Sequence, residues 1–196
     1  MKTDWEQRYR TGDMPWEKGA PHPAIVEFLQ REPMRGRVFV PGCGTGHDVR
    51  AIAATSDEVV GLDIAPSAIV AAKKQPLAGG EVYFLGDLFA LPAEMCGTFD
   101  WVVEHTCFCA ISPTMRGDYV RTVASVLKPG GRFFAIHYMT PDMDPDEAGP
   151  PFGTSAAELD ELFAPHFTTE SEWVPTATYS GREKRELCRV LVRRSA

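Results

Sequence analysis

At 196 residues the chain has room for one domain with a substantial core and little for a second. Hydrophobic residues make up 44% and charged residues 24%, the balance of a globular protein rather than a disordered or fibrous one. Lys and Arg number 20 against 27 Asp and Glu, a net charge of −7, which argues against a nucleic-acid or anionic-membrane surface and leaves a small molecule as the expected partner.

The chain begins "MKTDWEQRYR", charged throughout and without the apolar centre of a secretory signal. No uncharged apolar window approaches the roughly 18 residues that a membrane span needs. Five cysteines, an odd count scattered along the chain, do not form a disulfide framework, so a reduced, cytoplasmic protein is the expectation. Oligomeric state leaves no mark on the sequence, and a monomer is the default.

The first strand is expected over residues 37–40, followed by glycines at alternate positions, Gly42, Gly44 and Gly46, and a helix over 46–54. Residues 58–62 form a second apolar strand, with Asp63 at its carboxyl end and Pro66 suited to the first turn of a helix over 66–74. Strands follow at 82–85 and 99–103. A helix over 119–127 carries Tyr119, Val120, Val123, Val126 and Leu127 at helical spacing and stops at "KPGG". The remaining elements are a strand at 132–139, a helix at 156–163 and strands at 167–175 and 187–192. Repeated strand–helix units predict a parallel sheet with helices on both faces. The last two strands have only a loop between them, so they should pair antiparallel.

Three glycines at the first strand-to-helix turn are either a tight corner or a floor against which a ligand lies. Asp63 decides between these. An acid at the end of the second strand can accept both hydroxyls of a ribose, which points to a nucleoside-containing cofactor. The spacing is G-x-G-x-G rather than the dinucleotide G-x-G-x-x-G, and Asp48 in the first turn of the helix would repel a pyrophosphate. A zwitterionic amino-acid tail tolerates that acid better. This spacing, with "LKPGGRFFAIH" before the fifth strand, resembles the class I S-adenosylmethionine-dependent methyltransferases.

Longer stretches narrow the likeness. "DWEQRYRTGDMPWEKGAPHP", "VPGCGTGHDV", "VGLDIAPSAI", "FDWVVEHTCFCAISPTMRGDYV" and "GPPFGTS" look like the thiopurine S-methyltransferase superfamily, closest to its halide and thiol methyltransferase branch. The similarity runs in order from Trp5 to Arg193. It implies a single Rossmann-like class I methyltransferase domain over 1–196. Its sheet would have seven strands, mainly parallel, with an antiparallel C-terminal strand. Residues 1–22 would be a lid carrying Trp5, Tyr9 and Trp16 over the cofactor S-adenosyl-L-methionine; the plant branch has tryptophan where this chain has Tyr9. Aromatic faces suit a cationic sulfonium.

The resemblance further implies that Gly42 and Gly44 lie along the amino-acid part of the cofactor and that Asp63 holds its ribose. Asp87 and the Leu88 backbone would meet the adenine, although Asp87 on its own terms fits a helix cap equally well. His105 falls at a cofactor contact that is tyrosine in the plant enzymes. An imidazole there can touch the cofactor or take a proton from a thiol. Tyr138 falls at the substrate-facing tyrosine, with His137 expected on the opposite face of its strand. The expected reaction is in-line methyl transfer to a small soft nucleophile, a thiol or sulfide, with halide as a side activity. The alternatives are an oxygen, selenium or tellurium acceptor and, in a different class, an NAD-dependent oxidoreductase, against which the missing G-x-x-G spacing speaks.

Two metal patterns fail on spacing. His105, Cys107 and Cys109 lack the C-x₂₋₄-C pairs and fourth ligand of a structural zinc site. Asp142, Asp144 and Asp146 alternate like a calcium loop, but Glu147 stands where glycine is needed and Gly153 where glutamate is. No metal is expected.

Overall fold

The computed structural model describes residues 3–141, 143 and 149–195, so Asp142, Asp144 and Asp146 lie outside the described residues. Short β-branched and aromatic runs form the strands, and the segments between them form the helices that cover the sheet. In chain order these are α1 (Trp5–Thr11), α2 (Pro23–Arg31), β1 (Arg37–Pro41), α3 (His47–Ala53), β2 (Glu58–Asp63), α4 (Pro66–Lys73), β3 (Glu81–Leu85) and β4 (Phe99–His105). Then come α5 (Arg116–Val126), β5 (Leu127–Tyr138), α6 (Ala156–Phe163), β6 (Phe167–Trp173) and β7 (Glu186–Arg193).

The seven strands form one sheet in the order β3-β2-β1-β4-β5-β7-β6. β1 pairs parallel with β2 and β4, β2 with β3, and β4 with β5, whereas β7 runs antiparallel to both β5 and β6. This is the mainly parallel seven-stranded sheet that the resemblance implies, with its antiparallel strand β7. The chain winds outward from β1 to β3, then returns to the centre and winds the other way from β4. The carboxyl ends of β1 and β4 therefore flank the switch point, where such sheets hold ligands.

Strand parity divides the core. Val38, Val40, Trp101, Val103, Phe134, Ile136, Cys188 and Val190 pack with α2 and α3 on one face. Phe39, Val102, Phe133, Ala135, Leu187 and Leu191 pack with α5 and α6 on the other. Phe99 lies on the α5 face although Trp101 and Val103 do not, because the register shifts between Phe99 and Trp101. Across that shift β4 advances from Phe99 to Trp101 while β5 advances from Leu127 to Arg132, and the irregularity resets which side chains face which layer. Beyond it, His105 continues the parity of Trp101 and Val103 and faces α2 and α3.

Two helices were absent from the sequence reading. In α1, Asp4 caps the start by accepting from Gln7 N at 2.9 Å, and Gly12 closes the end at φ 75°. In α2, Pro23 occupies the first turn and Ile25, Phe28 and Leu29 are buried at helical spacing. The strand expected over 132–139 starts earlier: β5 takes over from α5 at Leu127, which pairs with Phe99, so "KPGG" stops the helix while the chain stays in the sheet.

Candidate active site

At the end of β1 the chain turns with Gly42, Gly44 and Gly46 at φ 61°, 54° and 81°, the left-handed region that disfavours any Cβ. At Gly46 a Cβ would also meet the Tyr83 hydroxyl at 2.7 Å. The turn is tied to β2: Cys43 N donates to Leu62 O and Gly44 N to Asp63 Oδ2, each at 2.9 Å. Asp63 accepts from Ala65 N with its other oxygen at 2.9 Å. Burial raises its carboxyl above the usual range, against the lowering effect of these backbone donors. The β3 end is drawn in by Gly86 N donating to Asp63 O at 3.0 Å, which places Asp87 and the buried Leu88 beside Asp63. Asp87 caps the short turn Leu88–Ala90, its Oδ1 accepting from Phe89 N at 2.9 Å.

The N-terminal segment lies on this turn. Trp5 and Tyr9 meet Trp16 edge-on, with ring centroids 5.5 and 5.8 Å apart, and Trp16 Nε1 donates to the Tyr9 hydroxyl at 3.3 Å. That hydroxyl sits 3.1 Å from where a Cβ on Gly44 would be. The cation these rings already face is Arg8, whose guanidinium is 4.6 Å from the Trp16 centroid. Two carboxylates anchor the segment. Glu6 accepts from Ser67 N and Oγ at the start of α4, and Glu17 accepts from Thr45 and pairs with His47 at 3.1 Å. The segment is therefore clamped across the glycine turn from both sides.

His105, at the end of β4, projects into a polar cluster between β4, α2 and α3. Its Nδ1 is 2.9 Å from Asp48 Oδ2, and Asp48 Oδ1 accepts from His22 N at 2.7 Å. Nη1 of Arg182 lies 3.3 Å from His105 Nε2 and 3.1 Å from Glu186 Oε1. His22 Nε2 lies 3.0 Å from Glu186 Oε2, while its Nδ1 accepts from Ala24 N at 3.1 Å. The pattern fixes both tautomers. A carboxylate only accepts and a guanidinium only donates, so neutral His105 carries its proton on Nδ1 and neutral His22 on Nε2. The Tyr179 ring closes the cluster, 4.8 Å from His22 and 5.7 Å from His105.

Burial depresses His22 titration. For Asp48 burial alone would raise the carboxyl, but the His105 and His22 contacts outweigh it and hold it below the usual range. The same balance, with His22, Thr178 and Arg182 as donors, leaves Glu186 well below it.

Tyr138 lies on the same sheet face, its ring 4.6 Å from the Arg182 guanidinium. His137 turns the other way and packs against Phe108 and Phe163. The turn after β4 is held by Glu104, which accepts from Cys107 N at 3.0 Å and Phe108 N at 2.8 Å, and Thr106 takes a left-handed φ of 62°. Such strain at a non-glycine residue persists only where the surroundings enforce it.

His105, Cys107 and Cys109 do not converge. Cys107 packs on Gly42 and the Cys109 thiol turns to Thr106 O at 3.4 Å. His22, His105 and Glu186 do present ligand atoms within 4.8 Å of one another. The Arg182 guanidinium holds the ground between His105 and Glu186, so a divalent ion would have to displace it.

His22, Asp48, Tyr179, Arg182 and Glu186 were not read from the sequence as site residues. Asp48 was noted only for its repulsion of pyrophosphate. Their partners lie 26, 57, 77 and 164 residues away, and only the sheet topology joins them. One signal was present: Glu186 continues the alternation of Cys188 and Val190 into the face that His105 shares.

A family model described as Thiopurine S-methyltransferase (TPMT) matches residues 1–184. The chain is 34% identical over 167 residues to a probable thiol methyltransferase 2 of Arabidopsis thaliana, covering 82% of this chain and 71% of that protein. It is 33% identical over 190 residues to thiocyanate methyltransferase 1 of Brassica oleracea, covering 92% and 81%. Among solved structures it is similar, at a TM-score of 0.81 and 23% identity over 97% of this chain and 91% of the other, to a protein studied for the conversion of a disulfide bond into a thioacetal group during echinomycin biosynthesis.

Proposed function

The chain belongs to the thiopurine S-methyltransferase family and is an S-adenosylmethionine-dependent methyltransferase, and we propose that its acceptor is a small thiol or sulfide that enters between His105, Tyr138 and the N-terminal lid. The observation that carries this reading is the clamped aromatic segment. With Tyr9 against Gly44 and Glu6 and Glu17 holding both flanks, the aromatic segment covers the glycine turn. Bringing a nucleophile into a water-excluded site costs least when it is weakly hydrated and polarisable, as sulfur is. The relative named a probable thiol methyltransferase agrees with that choice.

The residues present fit the cofactor. The left-handed glycines leave bare backbone, and buried Asp63 offers a carboxylate at the strand end where a ribose is read. Gly42 and Gly44 would hold the amino-acid tail, Asp63 the ribose, Asp87 and the Leu88 backbone the adenine, and Trp5, Tyr9 and Trp16 the lid side. The bound cofactor supplies an electrophilic methyl group on a sulfonium. The chain's own task is to align the acceptor, keep water out and receive a proton where the acceptor carries one.

A panel of alkanethiols, hydrosulfide, halides and small oxygen and selenium nucleophiles, assayed for methylated product, tests the acceptor class. Thiols or sulfide should give the highest kcat/KM. No turnover on any thiol or sulfide would remove this reading.

A further inference from the structure

The geometry around His105 points to a specific use of Asp48. We propose that Asp48 is a positioning residue that holds His105 as a proton acceptor, so that the enzyme takes acceptors arriving as neutral S–H thiols and discriminates against preformed anions such as halides. The inference rests on the thiol reading above and deepens it.

Three observations carry it. Asp48 receives the Nδ1 proton at 2.9 Å, which leaves the Nε2 lone pair on the side of Arg182 and Tyr138. A base oriented by a carboxylate on its far nitrogen is the arrangement that stabilises an imidazolium once the proton arrives. Asp48 is itself fixed by the His22 backbone N–H at 2.7 Å, so it cannot turn away without losing that bond. The Nε2 contact to Arg182 is long at 3.3 Å, and an entering thiol replaces it.

Charge supplies the discrimination. Facing the imidazole are the carboxylates of Asp48 and Glu186, the Arg182 guanidinium, neutral His22 and the Tyr179 ring, which together sum to −1. Glu104 lies across the sheet, turned to the β4–α5 turn. Proton uptake by His105 brings the set to zero, whereas an incoming anion meets the negative sum uncompensated. The cofactor's sulfonium contributes the same charge for either acceptor, so the difference belongs to the protein.

The step balances. The S–H proton moves to His105 Nε2, and the sulfur's electron pair forms the new S–C bond. The pair of the broken C–S⁺ bond stays on the departing thioether, and the imidazolium later releases its proton to water.

Asp48→Asn tests this, since the amide keeps the shape but can donate to Nδ1 and drive the ring to the other tautomer. With an alkanethiol, kcat/KM should fall at least about 100-fold. With a nitrothiophenol, ionised throughout the assay range, kcat/KM should not fall, because no proton has to move and one negative charge facing the anion is gone. Nitrogen NMR of the free protein should show His105 protonated on Nδ1 in the wild type and on Nε2 in the variant. Wild-type kcat/KM for iodide and chloride should lie at least about 100-fold below that for the alkanethiol.

Equal losses with both acceptors would make Asp48 merely structural and overturn the proposal, as would halide turnover matching thiol turnover. The wild-type spectrum and the halide comparison keep the test valid if the variant fails to fold. Absence of any wild-type thiol methylation would count against the acceptor reading, while a wild-type ring protonated on Nε2 would count against the Asp48 role alone.

Discussion

Glu186→Ala should lower the free energy of unfolding by about 3–5 kcal/mol, the cost of breaking a buried charge pair from one side. The Glu186 side chain is 1% exposed and accepts from His22 Nε2 at 3.0 Å, Arg182 Nη1 at 3.1 Å and the Thr178 hydroxyl. Its removal strands an imidazole N–H and a guanidinium inside the protein without their acceptor. It also frees the His22 ring from the packing that seats Ala24 N and Asp48. Urea denaturation gives the number, and a loss below about 1 kcal/mol would contradict the role assigned to this network.

The acid dependence provides an internal control. Burial would push the Glu186 carboxyl up, but its three donors hold it well below the usual range. A carboxyl depressed in the folded state adds stability that is present above the ordinary carboxylate pKa and is lost as pH falls from there to its folded value of about 2. Glu186→Gln should therefore flatten the acid limb of the stability curve, with a smaller loss at neutral pH than Glu186→Ala.

Asp63→Ala should weaken binding of S-adenosylhomocysteine by about a hundredfold to a thousandfold, or about 3–4 kcal/mol. Two hydrogen bonds from ribose hydroxyls to a charged acceptor are worth about 1.5–3 kcal/mol each before compensation. The same carboxylate fixes Gly44 N at 2.9 Å, so its loss also loosens the floor on which the amino-acid tail would lie. Because burial raises this carboxyl, wild-type affinity should decline on acidification at a higher pH than an ordinary aspartate would cause. Calorimetric titration measures both effects. Unchanged affinity in a folded variant would take the ribose away from Asp63.

The glycine turn and Asp63 were legible in the sequence because their signals are local. Glycine at three alternate positions is costly unless the backbone needs left-handed φ, and Asp63 stands at a strand end that periodicity alone locates. Seven strands followed from the same alternation, whereas their order in the sheet came only with the structure. The cluster around His105 was hidden for the opposite reason. Asp48 resembles a surface acid in the first turn of a short helix until β4 brings His105 against it. The parity that aims His105 depends on a register shift between Phe99 and Trp101 that no pattern announces. Helix α2 was overlooked behind the Pro- and Gly-rich stretch before it, although Ile25, Phe28 and Leu29 carry its spacing. The cation expected against the lid tryptophans has a competitor in Arg8, which a charge count cannot place.

The central claim is that one chamber brings the cofactor's reactive centre to the Asp48–His105 pair. A crystal structure of the chain with S-adenosylhomocysteine tests it most directly. The account predicts the ribose on Asp63, the amino-acid tail over Gly42 and Gly44, the purine beside Asp87 and Leu88, and the sulfur directed at the space between His105 Nε2 and Tyr138. A ligand bound elsewhere, or one whose sulfur faces away from His105, would contradict it.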